Sequence, residues 1–266
     1  MARRGEINDA ALLRLLWSPE RPAGPRPGPK SQLTLEAIVQ AGIAVADDRD
    51  GPALSMRLVA DRLDCTPMAL YSYVDGKDTL LRLMYDTAHA EFTPPDARPK
   101  ADASPVQEIQ GWANALTDLY ANHHWLADLS WARPVLGPHE QATLESLLRR
   151  LQPPDLTPAE DGTVASALLT LCRHTGRLIA DARHARRTSA ESDEQWWQEQ
   201  STAMASLAPD FAERFPLSTR IESATPDEEP SDGPPAGYLE RTAREQLKRT
   251  VRLLLRGATA NQDDEH

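Results

Sequence analysis

Between Leu54 and Lys77 the chain reads LSMRLVADRLDCTPMALYSYVDGK. Two short helical periods meet at a break there, and that pattern restricts the fold more than any other. Ser55 is a capping residue, and Leu58, Val59 and Leu63 recur on one helical face. Asp64-Cys65 breaks the period, and Thr66-Pro67 restarts it as an N-cap followed by proline at the first helical position. The spacing predicts helices over about 55–63 and over Met68 to Val74, stopped by Asp75-Gly76. This is helix-turn-helix geometry, in which the second helix can offer its first residues to a major groove. Val59, Leu63, Leu70 and Val74 set the buried side. Thr66, Pro67, Met68, Ala69 and Ser72 are then outward, flanked by Tyr71 and Tyr73. Tyrosine hydroxyls can donate to phosphate oxygens, or the rings can pack into the core. Lys77 is either a solvated helix start or a phosphate contact beside a helix N-terminus.

Helical periods flank this segment. Thr34 caps a helix carrying Leu35, Ile38, Val39, Gly42 and Ile43, and a further helix runs from Lys77 to about Glu91. Residues 93–104 form a proline-bearing connector. Ser104-Pro105-Val106-Gln107 and Thr157-Pro158-Ala159-Glu160 have capping-box form. Helices are expected from 104, over about 158–186, 192–207 and 238–256. The acidic, proline-rich 216–237 is expected to be a disordered loop. No segment alternates with period two, so the fold class is all-α.

Residues 6–17 suit a short amphipathic helix. Five prolines then fall between Ser18 and Ser31, which predicts an extended arm. Arg21, Arg26 and Lys30 on it suit either a solvated tail or an arm along a phosphate backbone. Net charge is −11, distributed as +3 over residues 1–33, −5 over 34–92 and −9 beyond. An acidic chain argues against non-specific coating of nucleic acid and leaves a local reading surface open. Two cysteines, Cys65 and Cys172, exclude a disulfide scaffold or a four-thiolate zinc site. No apolar run approaches a membrane span, and Glu6, Asp9 and Arg14 interrupt any leader-like segment. A cytoplasmic protein is the expectation. No metal or cofactor motif, nucleophile elbow or phosphate loop is present, which speaks against an enzyme.

The segment resembles the tetracycline-repressor (TetR) family of bacterial transcription regulators. The resemblance rests on Leu54-Ser55-Met56-Arg57, Ala60-x-x-Leu63, Ala69-Leu70-Tyr71-x-Tyr73-Val74 and Gly76-Lys77-Asp78-x-Leu80-Leu81, and covers about 28–92. It implies a basic arm (1–32), a three-helix DNA-binding domain (33–92), and a larger helical ligand-binding and dimerisation domain (104–257). By that resemblance Met56 and Arg57 approach the duplex and Pro67, Met68 and Ala69 face base edges. Tyr71, Tyr73 and Lys77 hold phosphates, and the arm ends at Lys30. Two departures stand out. Asp64 replaces the turn glycine, which aspartate tolerates better than most residues. Ser72 stands where a larger or basic residue is common.

The resemblance also implies a homodimer on double-stranded operator DNA, with helices about 158–186 and 238–256 forming a bundle. Their apolar stripes fit an intrachain core equally well. A small-molecule effector would lie among the helices after 104. Trp112, Leu116, Trp131, Pro134 and His174 are the candidate lining, with Arg177 and Trp196 nearby. Wide apolar walls with few polar groups suit such a pocket, and they suit an ordinary core as well. A third possibility is that the C-terminal part meets a protein partner, for which the acidic loop would serve.

Overall fold

Where the sequence places a capping side chain before an apolar stripe, a helix starts. The computed structural model describes residues 9–17, 33–48, 53–94, 104–130, 132–152, 156–189, 191–223 and 237–260, and every element among them is helical. In chain order they are α1 (Asp9–Trp17), α2 (Leu35–Asp47), α3 (Met56–Arg62), α4 (Pro67–Leu70), α5 (Lys77–His89) and α6 (Pro105–Asn122). A 3-10 turn (His124–Asp128) follows, then α7 (Pro138–Leu151), α8 (Pro158–Thr188), α9 (Asp193–Leu207), α10 (Phe211–Arg214), α11 (Pro216–Ser223) and α12 (Tyr238–Ala260).

The Thr34 hydroxyl accepts from Ala37 N–H and the Ser55 hydroxyl from Leu58 N–H, opening α2 and α3. Ser104 and Gln107 form the expected reciprocal cap of α6, and Thr157 and Glu160 bond likewise at α8. Helix α7 has no capping box, and its sequence signal is weaker. That signal is Pro138 after Gly137 and a stripe of Leu144, Leu147, Leu148 and Leu151.

The chain divides into two compact units, Met1–Arg177 with Leu247–His266, and Leu178–Gln246. In the first, one continuous core runs through Ile38, Leu70, Leu80, Met84, Trp112, Leu116, Tyr120, Leu126, Leu147, Leu168 and Val251. At Gly42 an added Cβ would stand 2.7 Å from Met84 Sδ, so α2 and α5 pack closer there than a side chain allows. Helix α1 belongs to this core: Leu12 is buried, and the Trp17 indole N–H donates to the Leu136 carbonyl. The stretch 1–32 therefore includes a docked helix. Its proline-rich part, 18–32, with Arg21, Arg26 and Lys30, lies outside the described residues.

In the second unit Glu240 is buried between Arg183 at 2.8 Å and Arg244 at 2.9 Å. Those two guanidinium groups outweigh the burial that would favour its neutral form and hold its carboxyl below the usual range. Asp193 is buried at the start of α9. Trp196, Trp197, Met204, Leu207, Leu217 and Ile221 are exposed. The loop expected over 216–237 begins as α11, because Pro216 starts a turn and Leu217 and Ile221 lie one turn apart. Residues 224–236 lie outside the described part.

Candidate nucleic-acid interface

Helix α3 ends on Asp64, whose φ is 51°. Cys65 N–H bonds to the Ala60 carbonyl and Asp64 N–H to the Asp61 carbonyl, the pair of bonds that closes a helix on a left-handed residue. Aspartate thus takes the position that glycine usually fills. Thr66 then begins α4 with Pro67 at its first position. The sequence predicts two turns here, Met68 to Val74, and the helix spans only Pro67–Leu70. The bonds from Ser72 N–H to Ala69 and from Tyr73 N–H to Leu70 are of the tighter three-residue kind, and the Ser72 hydroxyl also takes the Ala69 carbonyl. The chain closes as a turn that buries Val74 and passes through Asp75-Gly76 into α5.

This arrangement sorts the predicted reading residues. Met68 is 77% exposed and Tyr71 48%, and Thr66, Pro67, Ser72 and Lys77 face solvent. Ala69 is half-buried. Arg57 is exposed, loosely paired with Asp61 at 3.9 Å. Two expectations change. Met56 is buried beside Val59 and Ala60, because the first residue of α3 faces the core, so its side chain does not reach outward. The Tyr73 hydroxyl donates to the Leu33 carbonyl at 2.7 Å, so this group is engaged inside the chain, tying the turn to the start of α2. Lys30 lies outside the described residues. Around this reading head, Arg57, Arg62 and Lys77 stand among Asp61, Asp64, Asp75 and Asp78. The exposed face is therefore mixed in sign, and it holds α5's first turn, whose free N–H groups suit an anion.

The reading head is fastened to the larger helices through α5. Asp86 is buried, and its Oδ1 accepts from His139 N–H and Glu140 N–H at 3.0 Å each, capping α7 from another helix. At the far end, His123 lies between Asp47, the last residue of α2, and Glu91, just past α5.

The predicted pocket residues are not gathered in one place. Trp112 and Leu116 lie one turn apart in α6, fully buried, and the Trp112 indole donates to the Ser146 hydroxyl at 2.7 Å. Pro134 is exposed and Trp131 is outside the described residues. Arg177 pairs with Asp128. Trp196 is in the second unit, tilted against Trp197. His174 lines an open groove of about 820 Å³ with Gly162, Ser166, Thr170 and Leu254.

What sequence reasoning missed is a buried polar cluster behind these positions. Tyr85 and His89 of α5, Thr117 and Tyr120 of α6, and Cys172 of α8 are all buried. The Tyr85 hydroxyl lies within electrostatic reach of Tyr120 and Glu140. Burial drives both tyrosine pKa values up, pushes the Cys172 thiol up to about 12, and lowers His89 to about 4. The available signal was Asp86 and His89, polar residues beside the apolar stripe of α5.

No family model matches the chain. It is similar to the HTH-type transcriptional repressor DrrR1 of Streptomyces coeruleorubidus, with 31% identity over 229 residues, 83% of this chain and 80% of that protein. The chain belongs to the TetR family of transcriptional regulators. An HTH-type transcriptional regulator of Saccharopolyspora erythraea is 35% identical over 117 residues, 44% of this chain and 48% of that one. Among solved structures, ActR of Streptomyces coelicolor bound to actinorhodin superposes with a TM-score of 0.63 at 20% identity, covering 87% of this chain and 98% of that one. SCO7222, a TetR of the same organism, gives 0.61 at 25% identity, covering 86% and 98%. This TetR-family chain is accordingly a helix-turn-helix transcription regulator with an all-α fold. No helix among the described residues is long and apolar enough to cross a membrane.

Proposed function

We propose that this regulator represses transcription in the cytoplasm as a homodimer bound to a palindromic operator, and is released by a small lipophilic or aromatic ligand. The observation that carries the DNA-reading part is the projecting edge of α4. Pro67, Met68 and the rim of Tyr71, Ser72 and Lys77 face solvent on a four-residue helix held in place by its buried Leu70. Thr66 and half-buried Ala69 complete that edge, and Arg57 is the candidate for a guanine contact. Lys30, with Arg21 and Arg26, supplies phosphate contacts that the mixed-sign reading head lacks.

Two reading heads must stand about 34 Å apart to meet successive half-sites. The outward stripe of α8, Ala159, Gly162, Thr163, Ser166, Ala167 and Thr170, is small enough for a second copy to approach closely. The ligand reading draws on ActR, whose structures hold actinorhodin and (S)-DNPA. In this chain the ligand would enter toward the buried Trp112 and Leu116 of α6. The buried Tyr85, His89 and Tyr120 are the polar groups it would meet.

A DNA duplex selected by the protein from a random library tests the first part. Symmetric half-sites and a two-chain complex are expected, and failure to select any duplex defeats it. Actinorhodin and a panel of aromatic compounds test the second part by release of that duplex. A second reading, in which the C-terminal part meets a protein partner, is favoured by the exposed Trp196, Trp197, Leu207 and Ile221. Operator binding that no compound in the panel disturbs would favour it.

A further inference from the structure

Three helix ends meet on one imidazole. His123 caps the end of α6, its N–H bonding to the Leu119 carbonyl, and its ring is nearly enclosed. Nδ1 lies 2.9 Å from Asp47 Oδ1, at the last residue of α2. Nε2 lies 3.1 Å from Glu91 Oε2, two residues beyond α5. Trp125 Nε1–H donates to the same Asp47 oxygen at 2.8 Å and so completes it. Ionised carboxylates only accept hydrogen bonds, so both ring nitrogens must donate, and only the doubly protonated ring can do that. The charged form meets a carboxylate at each ring nitrogen, and His89 of α5 is a further titratable group within its electrostatic reach.

We propose that His123, as an imidazolium, is a positioning residue: it fastens the two helices that carry the reading head to the end of α6 and so links operator affinity to the proton on its ring. The inference rests on the DNA-binding function proposed for α4. Loss of the proton removes one ring donor; Asp47 keeps that of Trp125, so it is Glu91, just past α5, that is set loose from the end of α6. A reading head already held in place loses less freedom on binding than one that swings, so the fastened form holds DNA more tightly. Because α6 also carries Trp112, Leu116 and Tyr120, any shift of that helix arrives at the same ring.

The test uses the full chain and a fluorescein-labelled duplex that the protein itself selects from a random library. Histidine ring resonances are followed by NMR from pH 5.5 to 9, and duplex affinity by anisotropy over about the same range. We expect His123 to titrate above its ordinary value near 6.5, and affinity to fall at least about threefold through that midpoint. His123→Gln should flatten the profile, and Glu91→Gln should lower the midpoint. Glu91 is half exposed, so its variant remains informative should His123→Gln fail to fold. Profiles that superimpose for wild type and His123→Gln, or a His123 ring already neutral at pH 6.5, would overturn the proposal. Should the library yield no duplex, the DNA-binding function itself fails, whereas a bound duplex with superimposable profiles sinks the fastener alone.

Discussion

The Asp86 carboxylate occupies the space beside Gly137: a Cβ at residue 137 would overlap its Oδ1 and Cγ. That close approach lets one side chain of α5 cap α7 through His139 and Glu140 N–H. Asp86→Ala should lower unfolding free energy by about 1–2 kcal/mol, the usual value of a missing cap. Gly137→Ala should cost at least as much, since the carboxylate must move. Urea denaturation of both variants checks this, and wild-type midpoints would remove the bracket between α5 and α7.

The left-handed Asp64 permits an opposite experiment. Glycine adopts φ of 51° without the steric cost that aspartate bears there. Asp64→Gly should hold or raise stability by up to about 1 kcal/mol, and Asp64→Val should lower it by about 1–2 kcal/mol. Thermal unfolding reads both directions.

The residues of the reading head divide into those that touch water and those that hold the fold. Tyr71→Ala and Lys77→Ala should weaken operator binding about tenfold each while leaving the melting temperature within a few degrees. Met56→Ala should cost about 2–3 kcal/mol of stability, and Tyr73→Phe about 1 kcal/mol through its bond to Leu33. Anisotropy paired with calorimetry separates the two groups. Full affinity in both exposed variants would displace the contact surface from α4.

On the acid side the relevant group is His89. Burial is the main cause that lowers its pKa to about 4, against an ordinary 6.5. The folded chain then binds fewer protons than the unfolded one across that interval. Its contribution is complete above pH 6.5 and is lost as pH falls toward 4, a change on the order of 3 kcal/mol. His89→Phe should flatten the curve of unfolding free energy between pH 4.5 and 7. An unchanged slope would assign the acid sensitivity elsewhere.

Exchanging Arg21, Arg26 and Lys30 together for serine tests the arm without removing the docked α1. For every phosphate these side chains neutralise, the slope of log affinity against log salt should become shallower by about 0.9 in the variant. An unaltered slope would leave these residues as solvent-facing chain.

Legibility followed range. Caps and breaks are local, so Thr34, Ser55, Ser104 and Thr157 announced their helices, and Asp64 announced its turn. Side-chain direction at a helix's first residue depends on what the helix packs against, so Met56 read as outward when it is core. Tyr73 finds its partner forty residues away, and no periodicity shows that. Tyr85 of α5 and Tyr120 of α6 become neighbours only in the folded chain, which no local period shows. Helix α11 lay hidden in a proline-rich acidic stretch whose composition outweighed two well-spaced apolar residues.

The tip of α4 has nothing to give in hydrogen bonding: proline, methionine and alanine side chains carry no polar hydrogen. Docked as proposed, such a tip would sense thymine chiefly through its methyl group, and cytosine mainly as the lack of one. Uracil-containing DNA would then look foreign to it, and cytosine methylation would look like a partial match. A regulator built this way grades neighbouring sequences instead of accepting or refusing them outright.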